Sequence, residues 1–115
     1  MNKQRDQVST DNVLQSLSDA IAARKGEDPS ASYTASLFEL GEDAILQKVG
    51  EEAIEFLLAA KSGNRQQIVA EGADVWFHML VYLSSKGLGP DDILSELQRR
   101  EGVSGHAEKA ARDSD

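Results

Sequence analysis

Apolar residues recur along this chain at helical intervals, and nowhere does the two-residue alternation of a half-buried strand appear. Val13, Leu14, Leu17 and Ile21 fall on one face of a first helix, which Thr10 or Asp11 can cap and which runs to about Arg24. A loop rich in breakers and small residues follows, from Gly26 to Ser32. The spacing then predicts a short helix over residues 34–40, stopped by Gly41. Two long helices come next, over about residues 42–62, ending at Gly63, and about 65–86, ending at Gly87. A last helix starts at Gly89-Pro90, with Pro suited to the first helical position and Asp91 and Asp92 in the first turn. It ends near Arg100, where Arg99 and Arg100 complement the carbonyl end. Residues 1–10 and 101–115 are polar and read as flexible ends, leaving 11–100 as the single domain. The pattern predicts an all-α fold resembling a four-helix bundle.

The two long helices are apolar on more than one side. At about 100° per residue, Ile45, Val49, Phe56 and Ala59 share one face of the first, while Leu46, Ile54, Leu57 and Leu58 point elsewhere. On the second, Ile68, Val75 and Tyr82 share a face, and Val69, Ala73, Trp76, Phe77, Leu80 and Leu83 lie away from it. A helix apolar all round is a buried one. A chain of 115 residues has too little protein to cover both sides. The expectation is a homodimer whose helices bury one another.

Acidic residues interrupt these apolar faces. Glu52 and Glu55 are three apart on one long helix, and Glu71 and Asp74 are three apart on the other, so each pair shares a helix face. Glu52 lies within the stripe of Ile45 and Phe56, and Glu71 within that of Ile68 and Val75. A solvated acid belongs opposite an apolar stripe. Packed together, the two helices would direct these carboxylates at a common spot, where like charges repel and uncompensated burial is costly. A hard divalent cation that takes oxygen ligands resolves the conflict. The competing reading is an ordinary set of solvated acids or ion pairs.

Charge and composition narrow the partners. With 20 acidic and 12 basic residues the net charge is −8, which argues against sequence-independent nucleic-acid binding. A phosphorylated small molecule remains compatible, because a metal can bridge carboxylate and phosphate. The absence of Cys excludes disulfides, a thiolate zinc site and a Cys nucleophile. No apolar run approaches membrane-spanning length and the N-terminus has no apolar signal core, so no membrane contact and a cytoplasmic setting are expected.

Other residues admit two readings each. Lys48, four residues before Glu52, can bind a ligand phosphate or neutralise the acids. Lys61, before the Gly63-Asn64 turn, can reach phosphate or solvent. Ser32, Tyr33 and Thr34 precede a helix start, where free N–H groups bind anions, yet Ser and Thr serve there more often as caps. His78, four residues after Asp74, reads as a packed histidine with a local hydrogen bond rather than a metal ligand. Gly72 inside the second long helix permits a close helix approach or is simply tolerated. No GxGxxG, GxxxxGK, GxSxG or HExxH motif is present.

These features together resemble a known family. The SYT element, the KVGEEA run with its following Glu and AAK, and the D-x-x-x-H-x-L-V ending are similar to the phosphoribosyl-ATP pyrophosphatases of histidine biosynthesis. ExxE followed by ExxD marks the wider MazG-type all-α nucleoside-triphosphate pyrophosphohydrolases. The resemblance implies a MazG-type fold and cleavage of the α–β phosphoanhydride of phosphoribosyl-ATP, giving phosphoribosyl-AMP and pyrophosphate. It implies a Mg²⁺ or Mn²⁺ site at Glu52, Glu55, Glu71 and Asp74, with Glu51 as an adjacent candidate. It places Lys48 and Lys61 at phosphate and Ser32, Tyr33 and Thr34 in the substrate loop. Glu52 or Glu55 would accept the proton of the attacking water, and Lys48 would assist the chemical step. Gly72 and Ala31 depart from the family pattern without removing a ligand. The family is often fused to a cyclohydrolase with a cysteine zinc site; without Cys, only the pyrophosphatase step is expected in this chain. The competing functions are a housekeeping nucleotide pyrophosphohydrolase and a non-catalytic helical dimerisation module.

Overall fold

The computed structural model describes residues 10–102, Lys109 and Arg112, without the side chain of Asp11. The flexible ends expected over 1–10 and 101–115 lie for the most part outside these described residues. Five α-helices are delimited among the described residues: α1 (Val13–Ala22), α2 (Tyr33–Leu40), α3 (Glu42–Ser62), α4 (Arg65–Ser85) and α5 (Pro90–Arg100). No strand occurs among the described residues. No helix among the described residues is long and apolar enough to cross a membrane.

The helix ends follow from local chemistry. The side chain of Ser32 accepts from the backbone N–H of Ala35 at 3.1 Å and so caps α2. Gly41, at φ 101°, donates to the Leu37 carbonyl and accepts from Ile45 N–H, closing α2 and opening α3 with no intervening loop. That φ suits only glycine. Gly63 ends α3 in the left-handed conformation, and the Asn64 side chain accepts from Gln67 N–H at 3.1 Å to start α4. A two-residue turn of this kind folds α3 and α4 into an antiparallel hairpin. The start of α1 corrects one expectation. Neither Thr10 nor Asp11 is its cap; a 3₁₀ turn over Thr10–Asn12 leads into the helix, and Asn12 occupies the cap position with no side-chain bond. The tighter turn feeds the chain in with its own backbone.

The core gathers at one end of this hairpin. Ile21 of α1, Leu37 of α2, Ile45 of α3, and Leu80 and Val81 of α4 are buried together, with Leu14, Leu17, Phe38, Phe77, Tyr82 and Leu83 packed around them. Lys25 ties the loop after α1 to the end of α4 by donating to the Ser84 carbonyl at 2.7 Å. Thus Phe77, Leu80 and Leu83, read from sequence as part of an uncovered second face of α4, belong to the intrachain core, because α1 and α2 close over that half of the helix. The other half of the hairpin stays open. Ile54, Leu57, Leu58, Val69 and Trp76 are all exposed there, Val69 by 72% and Leu57 by 64%.

Candidate metal and phosphate site

Antiparallel pairing brings residues at equal distance from the Gly63-Asn64 turn face to face, so Glu52 meets the turn of α4 that carries Glu71 and Asp74. One carboxylate oxygen from each of Glu52, Glu71 and Asp74 lies within 4.8 Å of the other two. Their environments are graded: the Glu52 side chain is 16% exposed, Glu71 is half-buried and Asp74 is exposed. The sequence expectation of a shared carboxylate cluster therefore holds for these three in the geometry. Glu55 is exposed and its oxygens do not join the trio, although its charge reaches Glu71. Glu51 points to another side, accepting from Gln47 at 2.9 Å and lying 3.5 Å from Lys48.

Electrostatics mark the trio as strained in charge. The Glu71 carboxyl is raised above its ordinary value, first by partial burial and then by the charges of Asp74, Glu52 and Glu55. Lys48 supplies the nearest compensation, with its ammonium 3.5 Å from Glu52. That ammonium holds its proton more tightly than an ordinary lysine. The electrostatic influence of Tyr33 is the largest cause, followed among the raising influences by hydrogen bonds to Glu51 and Glu52. Lys61 is exposed in the last turn of α3, about 13 Å beyond Glu52 along the helix axis at ~1.5 Å per residue. The chain does not bring Lys61 to the trio.

The SYT stretch divides into separate tasks. Ser32 is a helix cap, Thr34 is half-buried in the first turn of α2, and Tyr33 turns its hydroxyl to His78 Nε2 at 3.0 Å. The other nitrogen of His78, Nδ1, lies 2.8 Å from the backbone carbonyl of Asp74. The local hydrogen bond expected of a packed histidine is therefore present. The partner on its far side was not legible: the i, i+4 spacing from Asp74 could reveal the first contact, but nothing in sequence joins His78 to Tyr33. A Cβ added at Gly72 would sit 3.4 Å from the Phe56 ring, so the neighbour there is a side chain and not the opposing backbone.

A donor set of three carboxylates, with neither sulfur nor imidazole in it, suits a hard divalent cation. The raised Glu71 carboxyl fits this as well, since a bound cation would relieve the crowding of negative charge.

Comparison with known proteins agrees with this chemistry. The profile of the phosphoribosyl-ATP pyrophosphohydrolase family matches residues 14–101. A phosphoribosyl-ATP pyrophosphatase from Methylibium petroleiphilum is 56% identical over 105 residues, covering 91% of this chain and 88% of the relative. Proteins of the same description from Geobacter sulfurreducens and Chromobacterium violaceum are 53% and 52% identical, each over 90% of this chain and 95% of the relative. The matched span runs from the second residue of α1 through the whole of α2 to α5 and includes every member of the carboxylate trio, and on these grounds the chain belongs to the phosphoribosyl-ATP pyrophosphohydrolase family.

Proposed function

We propose that this chain hydrolyses the α–β phosphoanhydride of phosphoribosyl-ATP to phosphoribosyl-AMP and pyrophosphate, the second step of histidine biosynthesis. The observation that carries the reading is the convergence of Glu52, Glu71 and Asp74 from the two arms of one hairpin, in a chain of this family. The family match favours phosphoribosyl-ATP over nucleotides in general, and three converging acids favour an enzyme over a passive dimerisation module.

Glu52, Glu71 and Asp74 would hold Mg²⁺ or Mn²⁺. Bound there, the ion supplies neutralising charge to the triphosphate and acidity to a water. The protein's own groups do the rest. Lys48 sets an ammonium beside the trio, where negative charge builds on the departing pyrophosphate. Glu55 stands next to the trio without joining it, and is the carboxylate left to take the water's proton. Ser32 fixes the start of α2, which sets Tyr33 at the rim.

The working form we propose is a cytoplasmic homodimer. The uncovered end of the hairpin, with Ile54, Leu57, Leu58, Val69 and Trp76, continues into an apolar groove of about 220 Å³ between α1, α4 and α5, lined by Leu14, Met79, Leu94 and Leu97 among others. Contiguous apolar surface of this kind marks an association face.

The deciding assay is pyrophosphate release from phosphoribosyl-ATP with and without Mg²⁺. Release that needs the metal and disappears in Glu52→Gln and Asp74→Asn is expected. Equal or faster hydrolysis of ordinary nucleoside triphosphates would overturn the substrate assignment.

A further inference from the structure

The Tyr33–His78 pair stands beside the trio and is unused in the reaction as derived above. His78 is only 5% exposed, and its ring lies edge-on to Phe77 and Tyr33, with centroids 5.1 and 5.9 Å away. Its nitrogens have different partners. The Asp74 carbonyl, 2.8 Å from Nδ1, has no proton to give, so Nδ1 carries the ring hydrogen. A neutral imidazole has only one such hydrogen, so Nε2 is bare and accepts the phenol proton across 3.0 Å. The hydroxyl oxygen of Tyr33, a residue 53% exposed, is thereby left with lone pairs alone. It can accept from a ligand, but it cannot donate without breaking its bond to His78. A phosphate oxygen at pH 7 has essentially only lone pairs too, so the two cannot pair.

We propose that His78 is a positioning residue that fixes Tyr33 as a hydrogen-bond acceptor at the rim of the carboxylate site, so that the substrate group Tyr33 reads is an O–H or N–H donor of the nucleoside part, a sugar hydroxyl or the adenine amine, and not a phosphate oxygen. This rests on the nucleotide reading given above. It divides the ligand between two side chains: Lys48 meets phosphate and Tyr33 meets sugar or base. Because His78 is held by the main chain of Asp74, the nucleoside contact is referenced directly to a member of the trio.

Tyr33→Phe keeps the ring and removes the acceptor. Its KM for phosphoribosyl-ATP should rise about three- to tenfold, the loss of one hydrogen bond, with kcat within about twofold. Inhibition by inorganic pyrophosphate, which has phosphates but no nucleoside, should not change. His78→Gln still offers Tyr33 an acceptor and should keep the wild-type KM, whereas His78→Leu should behave like Tyr33→Phe. Nitrogen-15 spectra of the wild type should show Nδ1 protonated and Nε2 bare, with the Nε2 resonance moving in Tyr33→Phe. A protonated Nε2 would turn the phenol hydrogen outward and overturn the proposal. Equal weakening of pyrophosphate in Tyr33→Phe, or an unchanged KM, would do the same. If His78→Leu fails to fold, Tyr33→Phe and the spectra still decide. A wild type that cannot hydrolyse phosphoribosyl-ATP defeats the activity assignment separately; the same comparison is then made with calorimetric Kd values for phosphoribosyl-ATP and pyrophosphate.

Discussion

Lys48 and Glu52 stand one turn apart on α3 with 3.5 Å between ammonium and carboxylate, and this pairing divides the charge of the acidic cluster unevenly. Glu52 has a counter-ion on its own helix. Glu71 faces three acids instead, and its carboxyl is raised. Repulsion alone would make Glu52 the position to neutralise; the pair shifts that role to Glu71.

Removing charge at Glu71 should therefore relieve the fold. An acid raised in the folded state costs stability when ionised. That cost is fully present above the raised value and is gone below the ordinary value of 4.5. In metal-free protein at pH 7, Glu71→Gln should melt at or above the wild-type temperature, and the difference should close as the pH falls below 4.5. Calorimetry across that range checks the sign. Mg²⁺ at a hundred times its Kd should stabilise the wild type by about 2.7 kcal/mol and Glu71→Gln much less. A variant that melts well below wild type at pH 7 would place Glu71 in a stabilising contact.

Lys48→Ala separates chemistry from packing. Its ion pair with Glu52 is a helical i, i+4 contact at the surface, so its loss should cost about 0.5 kcal/mol or less of stability. Losing positive charge where the leaving group develops its own should lower kcat by about a hundredfold. Denaturant melts and single-turnover kinetics on the same preparation test both halves. Large destabilisation with intact turnover would make Lys48 a structural residue.

Much of this arrangement could be read from residue order, and the remainder had definite physical causes. The glycines at 41 and 63 and Pro90 punctuate the helices where the sequence placed them, because backbone conformation at such residues is set locally. The trio was legible because three- and four-residue spacing fixes a helix face. Periodicity does not say what covers a face. It could not tell that α1 and α2 would close over Leu80 and Phe77 and leave Trp76 open. Nor could it pair Tyr33 with His78, a contact made only when α2 packs on α4. Spacing along the continuous helix α3 already put Lys61 turns away from Glu52.

Gly72→Ala should stabilise the chain. The position is inside α4, where glycine costs about 0.5–1 kcal/mol relative to alanine. The added methyl would meet the Phe56 ring at 3.4 Å, a contact at the tight edge of ordinary packing, against a side chain that can yield slightly. A rise in denaturation midpoint with unchanged slope is expected. A fall would mean that Phe56 cannot move, and that glycine is needed for close packing beside Glu71.

The open end of the hairpin gives the last prediction. Leu57 and Trp76 are 64% and 60% exposed, and together they border a small apolar hollow floored by Phe56 and Gly72. Burying a leucine or tryptophan contributes about 1.5–3 kcal/mol or more, and in a two-fold dimer each contact occurs twice. Wild-type protein at micromolar concentration should scatter light as twice the 12.5 kDa chain mass. Its melting temperature should also rise with concentration, as mass action requires. Leu57→Glu places a charge in the interface twice over and should yield a monomer of lower melting temperature. Glu52, Glu71 and Asp74 all come from one chain, so Mg²⁺ binding by that monomer should persist. A wild type that stays monomeric, or a Leu57→Glu protein that still dimerises, would move the interface away from this end of the hairpin.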